Sequence, residues 1–242
     1  MTALVSDTSF DISTLAGATC DRLHDVSPKP IAVPDDLASA LGVNGRTTLR
    51  ALAYRLVAGE VAAECRLVTI RGLTTTIFNC LIVPEVPGSL PLFVADVLGN
   101  HGDVRLGFFD IQTPGLSGPA RDEVAAATWE LVESYADLPG DDPPAWAVAH
   151  SPGAYLCCRP TEPAHATALR DAYRDYLELW LRLAWTLRYP PDPDAARALG
   201  EMMREHLASA PNFAYLERQF GRTWADRFCN EFLYRECRGG AS

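Results

Sequence analysis

Two polar residues interrupt strand-like apolar runs: Asn79 in Ile77-Phe78-Asn79-Cys80-Leu81-Ile82-Val83, and Asp96 in Leu92-Phe93-Val94-Ala95-Asp96-Val97. A carboxyl group surrounded by apolar residues is desolvated, which raises its pKa and lets it hold a proton near neutral pH. A general acid needs that property. Asp96 is therefore a candidate proton donor, although the same run also suits a carboxylate on a solvated face or one capping a loop. Asp110, in Phe108-Phe109-Asp110-Ile111, looks similar but precedes Thr113-Pro114. An aspartate there commonly bonds turn backbone groups, so a structural role is expected for it.

Other signatures of chemistry are missing. The chain has no Walker loop, no GxGxxG after a strand, no GxSxG and no HExxH. Gly42-Val43-Asn44-Gly45-Arg46 reads as an ordinary loop rather than a phosphate cradle. The seven cysteines form no CxxC pair, and the five histidines lie far apart. Metal sites usually show paired ligands at short spacing, so no metal is expected, and most thiols should be small core residues. A net charge of −10 argues against nucleic acid as a partner. It also means that an acidic protein partner would need a local basic patch.

A length of 242 residues, 48% hydrophobic, fits one domain over 1–242, with residues 1–30 expected to be partly flexible. No apolar stretch reaches the roughly 20 residues needed to span a bilayer. Residues 1–19 lack a basic region followed by an apolar run. A cytoplasmic protein without membrane association is expected.

The elements that must position Asn79 and Asp96 form a meander. Strands are predicted over 63–70, 74–83, 90–98 and 104–111, and short connections imply antiparallel neighbours. A short helix is predicted over 37–41 and another strand within 147–159. Helices are predicted over 121–138, 164–189, 194–208 and 213–237, the last interrupted near Gly221. A strand block followed by a helix block implies an α/β protein with sheet and helices in layers.

The run from Pro84 to Val97 resembles the strand-and-loop segment of the ferredoxin-dependent bilin reductases, and Phe109-Asp110-Ile111-Gln112-Thr113-Pro114 is similar to the strand that follows there. Pro144-Ala145-Trp146 with the stretch from Ser151 to Pro160 resembles the next family block. The segment from Leu216 to Phe228 looks like the closing helix. The resemblance implies a three-layer α/β/α sandwich around a central antiparallel sheet. It implies reduction of an open-chain tetrapyrrole, or bilin, by coupled single-electron (radical) and proton transfers. The electrons would come from ferredoxin, with no bound cofactor. Asp96 falls on the family's central aspartate and would be the proton donor. Asn79 falls on the facing position and would orient the lactam end of the substrate.

The departures are equally specific. An upstream glutamate of some members falls on Leu67, with Glu64 expected on the opposite strand face. A second proton-donating aspartate falls on Ala210. Basic positions that pair with propionates fall on Asp141 and Pro211, and a bare Asp141 would repel a propionate. His206 and Asn212 flank the altered loop as candidate substrate contacts, against the simpler reading of His206 as a solvated helix residue. These losses leave two alternatives open: a diverged ligand- or partner-binding protein, and a specialised-metabolism enzyme acting on a non-tetrapyrrole. Arg170, Arg174, Arg182 and Arg188 could form a ferredoxin-docking patch or ordinary solvated charge. Tyr176, Trp180 and Trp185 are expected in the helix core.

Overall fold

The computed structural model describes residues 10–143, 145–209 and 211–235. Among these, eight strands form one sheet: β1 (Lys29–Ile31), β2 (Ser39–Leu41), β3 (Thr48–Ala58), β4 (Val61–Arg71), β5 (Thr75–Pro84), β6 (Leu92–Asn100), β7 (Asp103–Gln112) and β8 (Tyr155–Cys158). Their order is β1-β3-β4-β5-β6-β7-β8, with β2 also pairing β3, and every pairing is antiparallel. The four expected strands are β4 to β7. Tight turns fix their registers. His101 and Gly102, at φ 53° and 85°, form the two-residue β6–β7 turn, the left-handed geometry that matches strand twist.

Helices cover both faces. On one face α1 (Leu15–Arg22), α3 (Gly118–Ser134) and α5 (Pro163–Thr186) bury Cys65, Leu67, Phe78, Ala95 and Phe109. On the other, α2 (Asp35–Ala38), α4 (Ala145–His150), α6 (Ala195–Ser209), α7 (Pro211–Phe220) and α8 (Arg222–Phe228) cover Val68, Ile70, Leu81, Val94 and Phe108. A π-helical turn, Cys229–Leu233, continues α8. The three-layer α/β/α sandwich expected from the sequence is the observed architecture.

Two element expectations need correction. The helix predicted over 37–41 ends at Ala38, because Ser39 is extended (φ −149°, ψ 128°) and pairs with Arg50 on the edge of β3. The strand predicted within 147–159 begins only at Tyr155, since β7 offers a pairing edge to Gly107–Asp110 alone and α4 occupies the residues before the Ser151-Pro152-Gly153 break. The long strand β3 also joins the sheet unanticipated, although Leu49, Ala51 and Ala53 alternate on its covered face.

Packing on the α5 face is tight at Gly107, where a Cβ would lie 2.4 Å from the Leu169 side chain. Trp180 and Tyr176 are core residues as expected, and Trp180 Nε1 donates to the Pro91 carbonyl at 2.9 Å. Trp185, by contrast, is 47% exposed near the end of α5. The cysteines Cys65, Cys80, Cys157, Cys158 and Cys229 are buried thiols, Cys20 is half-buried, and Cys237 lies outside the described residues. Among the described residues no helix is long and apolar enough to cross a membrane.

Candidate active site

The register of β4, β5, β6 and β7 assembles the site. Val68 pairs with Asn79, Asn79 with Asp96, and Asp96 with Phe108, so these four side chains form one row across the face under the C-terminal helices. Asn79 is buried and Asp96 half-buried. Asn79 Nδ2 donates to Asp96 Oδ1 at 2.8 Å, while the buried Asn79 Oδ1 has no hydrogen-bond partner among the described residues. The amide therefore holds the carboxyl group on one side and offers an acceptor on the other.

The roof of this row comes from the C-terminal segment. Tyr234, just past the π-helical turn, packs its ring 6.0 Å from His206 at 76°. Burial pushes the Tyr234 hydroxyl well above the usual phenol range, and the negative charge of Asp96 adds to that shift. Asp96 is thus close enough for Tyr234 to sense its charge. Arg66, fully buried, ties this segment to the sheet: its Nε donates to Glu64 Oε1 at 2.9 Å and its Nη1 to the Leu233 carbonyl at 2.8 Å. Arg235 Nη2 closes the cluster on Glu64 Oε1 at 2.5 Å. Burial pulls the Glu64 carboxyl upward, but the two guanidinium groups outweigh it and hold the acid ionised.

Several expectations change here. Leu67 does not face Asp96: it is buried in the core on the α1–α5 face, and Val68 is the neighbour of Asn79. Glu64 lies opposite Leu67 as expected and so shares the Asp96 face, where Arg66 and Arg235 neutralise it. His206 is not a solvated helix residue. It is 3% exposed, and burial, with His150 adding, pushes its pKa down to about 3, so the ring is neutral. Asn212 is the second residue of α7, but its side chain, like Ala210, lies outside the described residues, as do Pro144 and the side chain of Trp146. Asp141 is not bare, because Arg159 Nε meets its Oδ2 at 2.6 Å, and the pair is neutral where repulsion was expected.

The α5 arginines favour the solvated-charge reading, since Arg170 and Arg174 pair with Asp171 and Asp175 on their own helix. A groove of about 820 Å³ opens on the opposite side of the sheet between α1 and β3–β4, with Arg50, Arg71, Tyr54 and Leu67 in its lining. Asp96, Asn79 and His206 are not among the residues that line it.

Asp110 also lies on the Asp96 face. It is fully buried, and Ser151 Oγ donates to its Oδ1 at 3.3 Å. Burial pushes its carboxyl up to about 8, against the opposing pull of Gln112, Ser151 and the Ile111 backbone. Tyr234 and Asp110 were not assigned to the site by sequence reasoning. Tyr234 carries no signal beyond an aromatic in a helical stretch, whereas Asp110 has the same apolar setting that singled out Asp96.

Comparison with known proteins agrees with this architecture. The solved structure of phytochromobilin synthase from tomato, in complex with biliverdin, superposes with a TM-score of 0.75 over 94% of this chain and 84% of that one, at 15% identity. Phycocyanobilin:ferredoxin oxidoreductases from Synechococcus sp. and Synechococcus elongatus are each 24% identical over 168 residues, covering 67% of this chain and 66% of the relative. The family model described as ferredoxin-dependent bilin reductase matches residues 17–235. With nearly every described element inside that match, the chain belongs to the ferredoxin-dependent bilin reductase family.

Proposed function

We propose that this protein reduces an open-chain tetrapyrrole, or a related conjugated pigment, with single electrons from ferredoxin and protons from its own side chains. The observation that carries this reading is the Asn79–Asp96 pair, a carboxyl group hydrogen-bonded to an amide with an acceptor to spare. A bilin presents pyrrole and lactam N–H groups along one edge. Asn79 Oδ1 accepts from such a group and orients that end of the pigment. Asp96 then donates its proton to the pigment once an electron has made it more basic. In the complete reaction two electrons from two reduced ferredoxins and two protons saturate one double bond. The neutral His206 and the Tyr234 ring add a weakly polar wall that suits a flat conjugated ligand.

The test is anaerobic reduction of biliverdin by the purified protein with reduced ferredoxin, followed by absorbance. Turnover is expected, and Asp96→Asn should lower it on the order of 100-fold or more, the usual weight of a positioned proton donor. A biliverdin spectrum unchanged by the wild-type protein would overturn the reading, and full turnover by Asp96→Asn would remove Asp96 from it.

A further inference from the structure

Asp110 is an acid that the two-residue scheme leaves unused. The register pairs Asp96 with Phe108 and Val94 with Asp110. The two aspartates are therefore diagonal neighbours on adjacent strands and on one face, at backbone positions about 7–8 Å apart, so that a transfer between them runs through a bridging water.

The surroundings of Asp110 are unusual for a structural carboxyl. Its Oδ2 and the hydroxyl of the buried Thr113 have no hydrogen-bond partner among the described residues, and the fully buried Gln112 amide bears on the carboxyl and pulls it down. Buried atoms of this kind each cost about 1–3 kcal/mol, so packing alone gives no reason to keep them together. The groups that bear on the carboxyl are Gln112 and the Ile111 backbone on β7, Ser151 after α4, Tyr155 on β8 and Tyr176 on α5. None of them is a cation that would hold the acid ionised.

We propose that Asp110 is a buried proton store that reloads Asp96 between the two protonations of one reduction, an inference that rests on the reductase reading above. After the first electron, Asp96 gives its proton to the pigment and becomes a carboxylate. The second electron makes the pigment basic again. It drives a proton from the Asp110 carboxyl to Asp96 as Asp96 protonates the pigment a second time. Both aspartates, now carboxylates, recover one proton each from solvent before the next cycle. The balance is two electrons and two protons on the pigment, with two ferredoxins oxidised. Burial keeps Asp110 loaded at neutral pH, with its carboxyl up at about 8. Its role is positioning and supply through Asp96, since it is too deeply buried to touch the ligand.

The experiment is stopped-flow reduction of biliverdin by limiting, then excess, reduced ferredoxin, with electron paramagnetic resonance to count the one-electron-reduced pigment. In Asp110→Asn the first step should stay within about twofold of wild type, while the second slows on the order of tenfold or more and the radical accumulates. Asp110→Glu, which restores an acid, should rescue the second step. Infrared spectra at pH 7 should show a protonated-carboxyl C=O band in the wild type that Asp110→Asn loses, a readout that needs no pigment. A folded Asp110→Asn protein with both steps at wild-type rates, or the absence of that band, overturns the proposal while leaving the reductase reading intact. A wild-type protein that reduces no bilin overturns both.

Discussion

The ionisation of Asp110 should be visible in stability before any turnover is measured. Its folded pKa of about 8 lies above the ordinary carboxylate value of 3.8. The unfolded chain therefore releases this proton at lower pH than the native one. Stability from this group is fully present below the unfolded pKa and is lost as pH rises toward the folded pKa. At about 1.4 kcal/mol per unit, the full span of about four units is worth about 6 kcal/mol as an upper bound, and the window from pH 5 to 7 alone about 2.7 kcal/mol. Asp110→Asn removes the titration while keeping shape and polarity. Urea unfolding of both proteins at pH 5 and pH 7 should show the variant gaining about 2.7 kcal/mol relative to wild type between the two conditions. With a slope near 3 kcal/mol/M that is a relative midpoint shift of about 0.9 M. A stability difference that is the same at both pH values would refute the argument, because it would mean that Asp110 titrates alike in the folded and unfolded chains.

Three further outcomes follow from the same structure. His206 behaves in the opposite sense: with a folded pKa of about 3 against 6.5 unfolded, its contribution is complete above pH 6.5 and lost as pH falls. His206→Leu should thus remove about 2 kcal/mol of acid sensitivity between pH 6 and 4.5, read by chemical denaturation. Arg66→Ala leaves Glu64 to Arg235 alone and strands the buried Leu233 carbonyl, and should cost about 1–3 kcal/mol in thermal or denaturant unfolding. Gly107→Ala drives a methyl group into Leu169 and should cost about 1–3 kcal/mol, with biliverdin affinity unchanged because the clash lies on the face away from Asp96.

The meander was legible because β4 to β7 carry alternating or continuous apolar runs bounded by turn residues, and these signals are local. The side of the sheet that each residue faces was less legible. Leu67 and Val68 differ by one position, and a one-residue change of register exchanges faces. Only the turn after Arg71, with Gly72 bonded to Thr75, sets Val68 rather than Leu67 beside Asn79. His206 could have been found: Leu199, Met202, Met203 and His206 share one helical stripe, and all four are buried. Its charged neighbours Arg204 and Glu205 hid that stripe in a residue-by-residue reading. Tyr234 reaches the site through the Arg66–Leu233 anchor, a contact spanning 167 residues that no local pattern encodes.

The charges around the site also bear on the proposed ligand. Glu64 is neutralised by Arg66 and Arg235, Asp141 by Arg159, His206 is driven neutral, and Asp110 holds its proton. No fixed cation in this set is left to clamp an anion against Asp96. The groups that remain for chemistry are an acceptor on Asn79, a carboxyl on Asp96 and a second carboxyl one diagonal step behind it. On the proposed reading such a site would meet N–H edges and supply protons, with no unpaired cation of this set beside it for a ligand carboxylate. On the proposed reading, proton supply rather than charge stabilisation is the work of this arrangement, and the loss of acids elsewhere is why a second proton would depend on Asp110.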